Sequence, residues 1–240
     1  MDNNDNAILL RSCFYVNLDF QTKSYAMTLK ARYQAFVDYF TQHQPEATTE
    51  LKYENPFQLL LAVILSAQCT DKRINMVTPA LFEAFPTPLH MANSSFEEIF
   101  PYIKSVSYPN NKTKHLLSMA KMVVENFEGV IPEQVENLQK LQGVGRKTAH
   151  VIASVLHNQP KMAVDTHVFR VSKRLGLVDA DATTPLAVEK QLVRHLPKAY
   201  IAKAHHWLIL HGRYVCLART PKCTSCALTS FCRYFAQTAA

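Results

Sequence analysis

Glycine is scarce: five residues in 240. A chain with so few cannot supply the positive-φ turns that a β-rich fold needs at every hairpin. Long apolar runs are also missing. The longest lies near residues 59–65, far short of the ~20 residues needed to span a bilayer, which excludes a membrane helix. No internal repeat and no low-complexity tract appear, so solenoids and disordered arrays are excluded as well. The N-terminus lacks a secretion signal: Asp2 and Asp5 precede Ala7-Ile8-Leu9-Leu10, and Arg11 breaks that short apolar run. A reducing cytoplasmic setting is therefore expected, with thiols available for metal rather than disulfides. Acidic side chains are absent after Glu189, although Lys190, Arg194, Lys198, Lys203, Arg213, Arg219, Lys222 and Arg233 all follow. That imbalance reads as a phosphate-facing surface, with a merely solvated basic face as the alternative.

With 48% hydrophobic and 19% charged residues and a net charge of +7, the chain is a globular, basic protein large enough for one sizeable core or two small ones. The apolar periodicity is mostly helical, which predicts an all-α fold. The pattern becomes clear after Met27, where Leu29, Tyr33, Phe36, Val37 and Phe40 share one helical face. Residues 1–26 carry no readable pattern and are treated as an extension, with Met27 as an alternative start. Residues 56–65 form a helix apolar on all sides and hence buried. Asp71 is expected to cap a helix running to Leu81, and Ser94 or Ser95 with Glu97 and Glu98 reads as a capping box. Further helices are expected at 111–127, 132–141 (Pro132 in its first turn), 147–156, 166–175, 185–195 and 200–212, with an extended return at 158–165.

Four cysteines close the chain as Cys216-x6-Cys223-x2-Cys226-x5-Cys232. Structural zinc sites more often pair two short knuckles, whereas only Cys223 and Cys226 make one here. The spacing favours a multi-iron cluster, with zinc or no metal as the alternatives.

Leu141-Gln142-Gly143-Val144-Gly145-Arg146-Lys147-Thr148-Ala149 joins two helices through a Gly-x-Gly turn. Such a turn presents backbone N–H groups of Gly143, Val144 and Gly145 beside a helix N-terminus, a site for a phosphate, with Arg146 adding charge. The plain alternative is an ordinary tight turn. Lys147 follows in the first helical turn, where the positive helix end and any desolvation disfavour the ammonium. An amine so disposed can attack a sugar or carbonyl carbon; the plain alternative is a phosphate-binding lysine. Val164-Asp165-Thr166-His167 looks like a helix cap. A helix of about ten residues rises ~15 Å. A six-residue extended return spans ~18–20 Å. The chain can thus bring Asp165 back toward Lys147, where a carboxylate can orient an amine, take its proton or stabilise a cationic intermediate.

These segments, together with His205-His206-Trp207-Leu208-Ile209-Leu210-His211-Gly212-Arg213-Tyr214-Val215-Cys216, resemble the endonuclease III family of helix-hairpin-helix DNA glycosylases, from about residue 29 to 235. The resemblance implies two all-α lobes: a helical barrel over 49–160, and a cluster lobe made of 27–48 plus 161–240 around a four-iron–four-sulfur cluster held by Cys216, Cys223, Cys226 and Cys232. It implies a monomer acting on duplex DNA with damaged bases or abasic sites, removing oxidised pyrimidines and nicking 3′ by β-elimination. Lys147 and Asp165 match the catalytic pair. Gln68 matches the residue filling the gap left by the flipped base. His167 stands beside the catalytic aspartate in a packing or hydrogen-bonding role, and Arg219 and Lys222 lie where the family contacts phosphates.

The sequence departs from the family at Gln142, where proline is usual, at His150, where asparagine is common, and at Tyr108, which takes the place of a strand-wedging leucine. Cys69 reads as packing, and Cys13 carries no assigned role. An adenine-mismatch glycosylase would lack Lys147 and carry a further C-terminal domain. A non-catalytic DNA-binding protein would not need both Lys147 and Asp165.

Overall fold

A computed structural model describes residues 27–238. The expectations for residues 1–26, Cys13 included, lie outside the described residues. Among the described residues all regular structure is helical. The helices are α1 (Leu29–His43), α2 (Pro56–Ser66), α3 (Asp71–Ala84), α4 (Pro88–Ala92), α5 (Phe96–Ile103), α6 (Pro109–Phe127), α7 (Val135–Leu138), α8 (Arg146–His157), α9 (Thr166–Leu175), α10 (Pro185–His195), α11 (Ile201–Tyr214) and α12 (Arg233–Thr238). No helix among them is long and apolar enough to cross a membrane. The chain divides into two compact units, one of residues up to Ala47 together with Val164 onward, the other Thr48–Ala163.

The unit Thr48–Ala163 is built around α2. Every residue from Phe57 to Leu65 is buried. Asn55 caps the helix by accepting from the Gln58 N–H, and Pro56 occupies its first turn, where a missing N–H costs nothing. Around α2 pack α3, α6 and α8, while α4 and α5 cover α6. Ile74, Leu81, Met91, Ile99, Leu116, Met119, Leu138, Ile152 and Ala153 complete one core.

The other unit packs α1 against α11 through aromatic rings. The Trp207 indole stacks on Phe40 at 5.5 Å and donates to the Gln44 carbonyl at 2.8 Å, which terminates α1. The amphipathic α9 lies against α10, α11 and α12. Arg32, buried on α1, donates to the carbonyls of Leu175 and Phe231, tying α1 to α9 and to the cysteine segment.

Three local expectations are corrected. Thr70, not Asp71, caps α3: its backbone is still extended and its hydroxyl accepts from the Arg73 N–H, so Asp71 is already helical. The helix continues to Ala84 despite Pro79. The helix expected over 132–141 is a single turn, Val135–Leu138. Ile131, Val135 and Leu138 are all buried and carry the helical spacing, but nothing before Pro132 caps a helix and the chain enters extended. Helix α4, capped by Thr87, is an addition not read from the sequence. The capping box at Ser95 and Glu98 forms as expected, both reciprocal bonds present.

Candidate functional site

The turn before α8 assigns different work to its two glycines. Gly143 has φ +79°, and a Cβ there would meet the His115 side chain at 3.1 Å and Ile64 at 3.2 Å. It must be glycine for the backbone to turn and pack against α6 and α2. Gly145 has ordinary φ, caps α8, and a Cβ there would meet nothing within 4 Å. Its missing side chain therefore opens space toward solvent, as close approach by a ligand requires. Val144 is buried and anchors the turn from below. No side chain caps α8, and Arg146 and Lys147 in its first turn are exposed. His150, buried one turn later, contacts the Met162 carbonyl through Nδ1 at 3.3 Å, and Ser154 donates to the Lys161 carbonyl at 2.7 Å. These two side chains hold the return segment against α8, which is a packing role for the unusual histidine.

Gln68 and Tyr108 come together on the same unit. Both are exposed, and both have positive φ, +54° and +55°. The Ser107 hydroxyl donates to the Gln68 carbonyl at 2.5 Å. Lys112 is buried, and its ammonium donates to the carbonyls of Leu65 and Ala67, each at 2.8 Å. Burial lowers its pKa, with the neighbouring Cys69 acting in the opposite direction. Sequence reasoning missed Ser107 and Lys112; a lysine in the first turn of an amphipathic helix gives no sign that it points inward.

Asp165 and the cysteines belong to the other unit. Asp165 caps α9: its Oδ1 accepts from the N–H groups of His167 and Val168, both at 2.8 Å. Among the described residues Oδ2 takes no hydrogen bond. One oxygen thus holds the helix while the other remains available. His167 packs on Gly212, where a Cβ would come within 2.9 Å of the histidine Cβ, and its Nδ1 lies 3.2 Å from Arg170. Its surroundings are those of a packing residue. Arg170 also donates to the carbonyls of Gly212 and Cys216, so one guanidinium joins α9, α11 and the cysteine segment. Arg174, one turn on, reaches the Cys216 sulfur at 3.4 Å and the carbonyls of Leu217 and Ala218, with Tyr234 stacked 4.6 Å from its guanidinium carbon. Their i, i+4 spacing on α9 is the signal that could have identified this pair.

Cys216, Cys223, Cys226 and Cys232 line one cavity together with Leu175, His211 and Lys222. Burial pushes the Cys232 thiol up to about 11 and raises Cys223 and Cys226, neighbouring sulfurs adding to the effect. His211 lies 3.7 Å from the Cys226 sulfur, and burial lowers its pKa to about 4, so the ring is neutral. Four thiols lining one space fit a metal cluster, whose positive metals would replace the protons that burial otherwise retains. Arg219 and Lys222 are exposed on the loop between Cys216 and Cys223.

Residues 61–198 match the model of the HhH-GPD superfamily of base excision DNA repair proteins. Endonuclease III of Rickettsia prowazekii (strain Madrid E) is 45% identical over 199 residues, covering 83% of this chain and 93% of the relative. Endonuclease III of Escherichia coli (strain K12) is 38% identical over 205 residues, covering 85% and 96%. A solved structure of a trapped endonuclease III–DNA covalent intermediate in an estranged-adenine complex superposes with a TM-score of 0.82 at 41% identity, covering 89% of this chain and all of that one. The all-helical architecture is the helix-hairpin-helix glycosylase fold, and the chain belongs to the endonuclease III family of base excision repair enzymes.

Proposed function

We propose that this enzyme is a bifunctional DNA glycosylase and abasic-site lyase that removes oxidised pyrimidines from duplex DNA. The observation that carries the reading is the exposed lysine in the first turn of α8, behind a glycine with open space in front of it. The hairpin N–H groups and Arg146 hold a backbone phosphate, and the damaged nucleotide leaves the stack. The Lys147 amine, once deprotonated, attacks C1′ of the sugar and the C1′–N bond breaks, its electron pair leaving with the base. Asp165 orients the amine, accepts its proton through Oδ2 and stabilises the cationic sugar. The C1′–N lysine adduct opens to an imine, loss of a C2′ proton drives out the 3′ phosphate, and water then releases the lysine. The chain's own side chains do not bury Lys147, so its desolvation is assigned to bound DNA.

Gln68 fills the vacated space, Tyr108 takes the wedge position, and Arg219 and Lys222 add phosphate contacts, with His167 supporting the Asp165 cap. Cys216, Cys223, Cys226 and Cys232 would hold a four-iron–four-sulfur cluster, which would cross-link the basic loop. The helices of Thr48–Ala163 supply the barrel and hairpin; α1 and α9–α12 supply the cluster lobe. The enzyme acts as a monomer in the cytoplasm, at the nucleoid.

Borohydride trapping tests this reading. Purified protein, with iron and acid-labile sulfide quantified, is mixed with duplexes carrying an abasic site or an oxidised thymine. Covalent complexes are expected with both. Lys147→Gln should trap neither, and Asp165→Asn should lose rate by orders of magnitude while remaining folded. Trapping on the abasic site alone would leave a lyase of different base specificity. Absence of trapping from folded, iron-containing protein that still binds DNA would favour a non-catalytic binder.

A further inference from the structure

Two exposed non-glycine residues of the unit Thr48–Ala163, Gln68 and Tyr108, hold left-handed backbone conformations in adjacent loops. Gln68, Glu128 and Asn158 lie just past the C-terminal ends of α2, α6 and α8, where that conformation is common. Tyr108 instead precedes a helix, where an extended backbone is the rule and where its side chain makes no cap. Conformations of this kind persist only when surrounding groups over-determine them.

Those groups are on the page. Ser107 reaches from one loop to the other and donates to the Gln68 carbonyl. Lys112, one turn into α6, donates to two carbonyls at the end of α2, Leu65 and Ala67, immediately before Gln68. Its charge faces the negative end of that helix, and its stem is buried. Val106, also buried, anchors the second loop to the core beneath. Gln68 and Tyr108 are therefore not two mobile side chains on separate loops. They are the exposed tips of one braced element whose base is a buried ammonium.

We propose that Ser107 and Lys112 are positioning residues that lock Gln68 and Tyr108 into a single two-pronged element, so that both prongs enter the duplex together when the damaged nucleotide leaves it. The proposal rests on the glycosylase reading above. Filling the vacated space with one prong while the other separates the opposite strand requires a fixed distance between them. Two independently flexible loops would have to be ordered on binding, at an entropic cost to each event. The prior ordering removes that cost. The aromatic ring of Tyr108 adds an exposed flat face able to stack on a base.

The test uses iron-loaded full-length protein. The active fraction of each preparation is set by end-point borohydride trapping on a duplex abasic site. Excision of oxidised thymine is then measured in single turnover per active molecule, with 2-aminopurine opposite the lesion reporting loss of stacking. Ser107→Ala should lower the excision rate about five- to tenfold, the range for one lost hydrogen bond. It should also reduce the fluorescence change at saturating protein. Ser107→Thr, which keeps the hydroxyl, should restore both. Lys112→Met should have the larger effect; Ser107→Gly removes the same hydroxyl where an alanine protein does not fold. An unchanged rate per active molecule, or a slower rate with undiminished fluorescence, overturns the proposal alone. A wild-type protein that traps on neither substrate overturns the glycosylase reading and this proposal with it.

Discussion

Gly143 and Gly145 occupy the same turn, yet substitutions at them should fail in opposite ways. Alanine at Gly143 combines a left-handed backbone with contacts of 3.1 and 3.2 Å to His115 and Ile64. It should destabilise the fold by roughly 1–3 kcal/mol, seen as a lower denaturant midpoint. Alanine at Gly145 meets open space. It should leave the midpoint within about 0.5 kcal/mol of wild type. It should instead weaken duplex binding, because the added methyl stands where a phosphate must approach the N–H groups. Equal losses of stability at the two positions would contradict this division. The sequence motif made both glycines candidates for close approach to a ligand. Only the surroundings separate the packing glycine from the open one, because φ and neighbouring side chains are set by α2 and α6, distant in sequence.

At the scale of helices, legibility followed burial geometry. Helices α9 and α10 have the bounds expected from their caps and periodicity, and α8 differs by one residue at each end. Their signals are local: Asp165 and Thr184 accept hydrogen bonds from the first turn, and a left-handed Gly176 or Asn158 ends the helix. The segment 132–141 misled because Ile131, Val135 and Leu138 are buried at helical spacing although only the single turn Val135–Leu138 is helical. Helix α2 offers the clearest energetic test. Leu61 is fully buried at its centre, so Leu61→Ala should cost about 2–5 kcal/mol. Ser95→Ala removes an exposed capping bond and should cost about 1 kcal/mol. Chemical denaturation should show that ranking; a Ser95 effect equal to that of Leu61 would mean that the cap, not the core, dominates.

For the molecule as a whole, pH acts through buried histidine. His206 on α11 is buried, and desolvation, with Arg213 nearby, lowers its pKa from 6.5 to about 4. Between those values the unfolded chain binds a proton that the folded chain refuses. Stability from this group is therefore complete above about pH 6.5, declines as pH falls, and is lost below about pH 4. Melting temperature should fall on acidification through that window, and His206→Gln should flatten the slope even if it lowers the melting temperature at neutral pH. An unchanged slope would assign the acid sensitivity elsewhere.

The sequence alone determined the all-helical class and the family, and it nominated Lys147, Asp165, the hairpin glycines and the cysteine loop as the candidate site, because these depend on residue type and spacing within short segments. The tertiary structure decided which residues support them. Arg170 and Arg174 bind the cysteine segment, His150 and Ser154 hold the return from α8, and Ser107 with Lys112 joins two loops. Apart from the local His150 and Ser154 contacts, each of these bonds links residues about 40 or more positions apart. Such pairings arise when apolar faces pack and bring polar groups to buried carbonyls that must be satisfied, a requirement that no local pattern encodes.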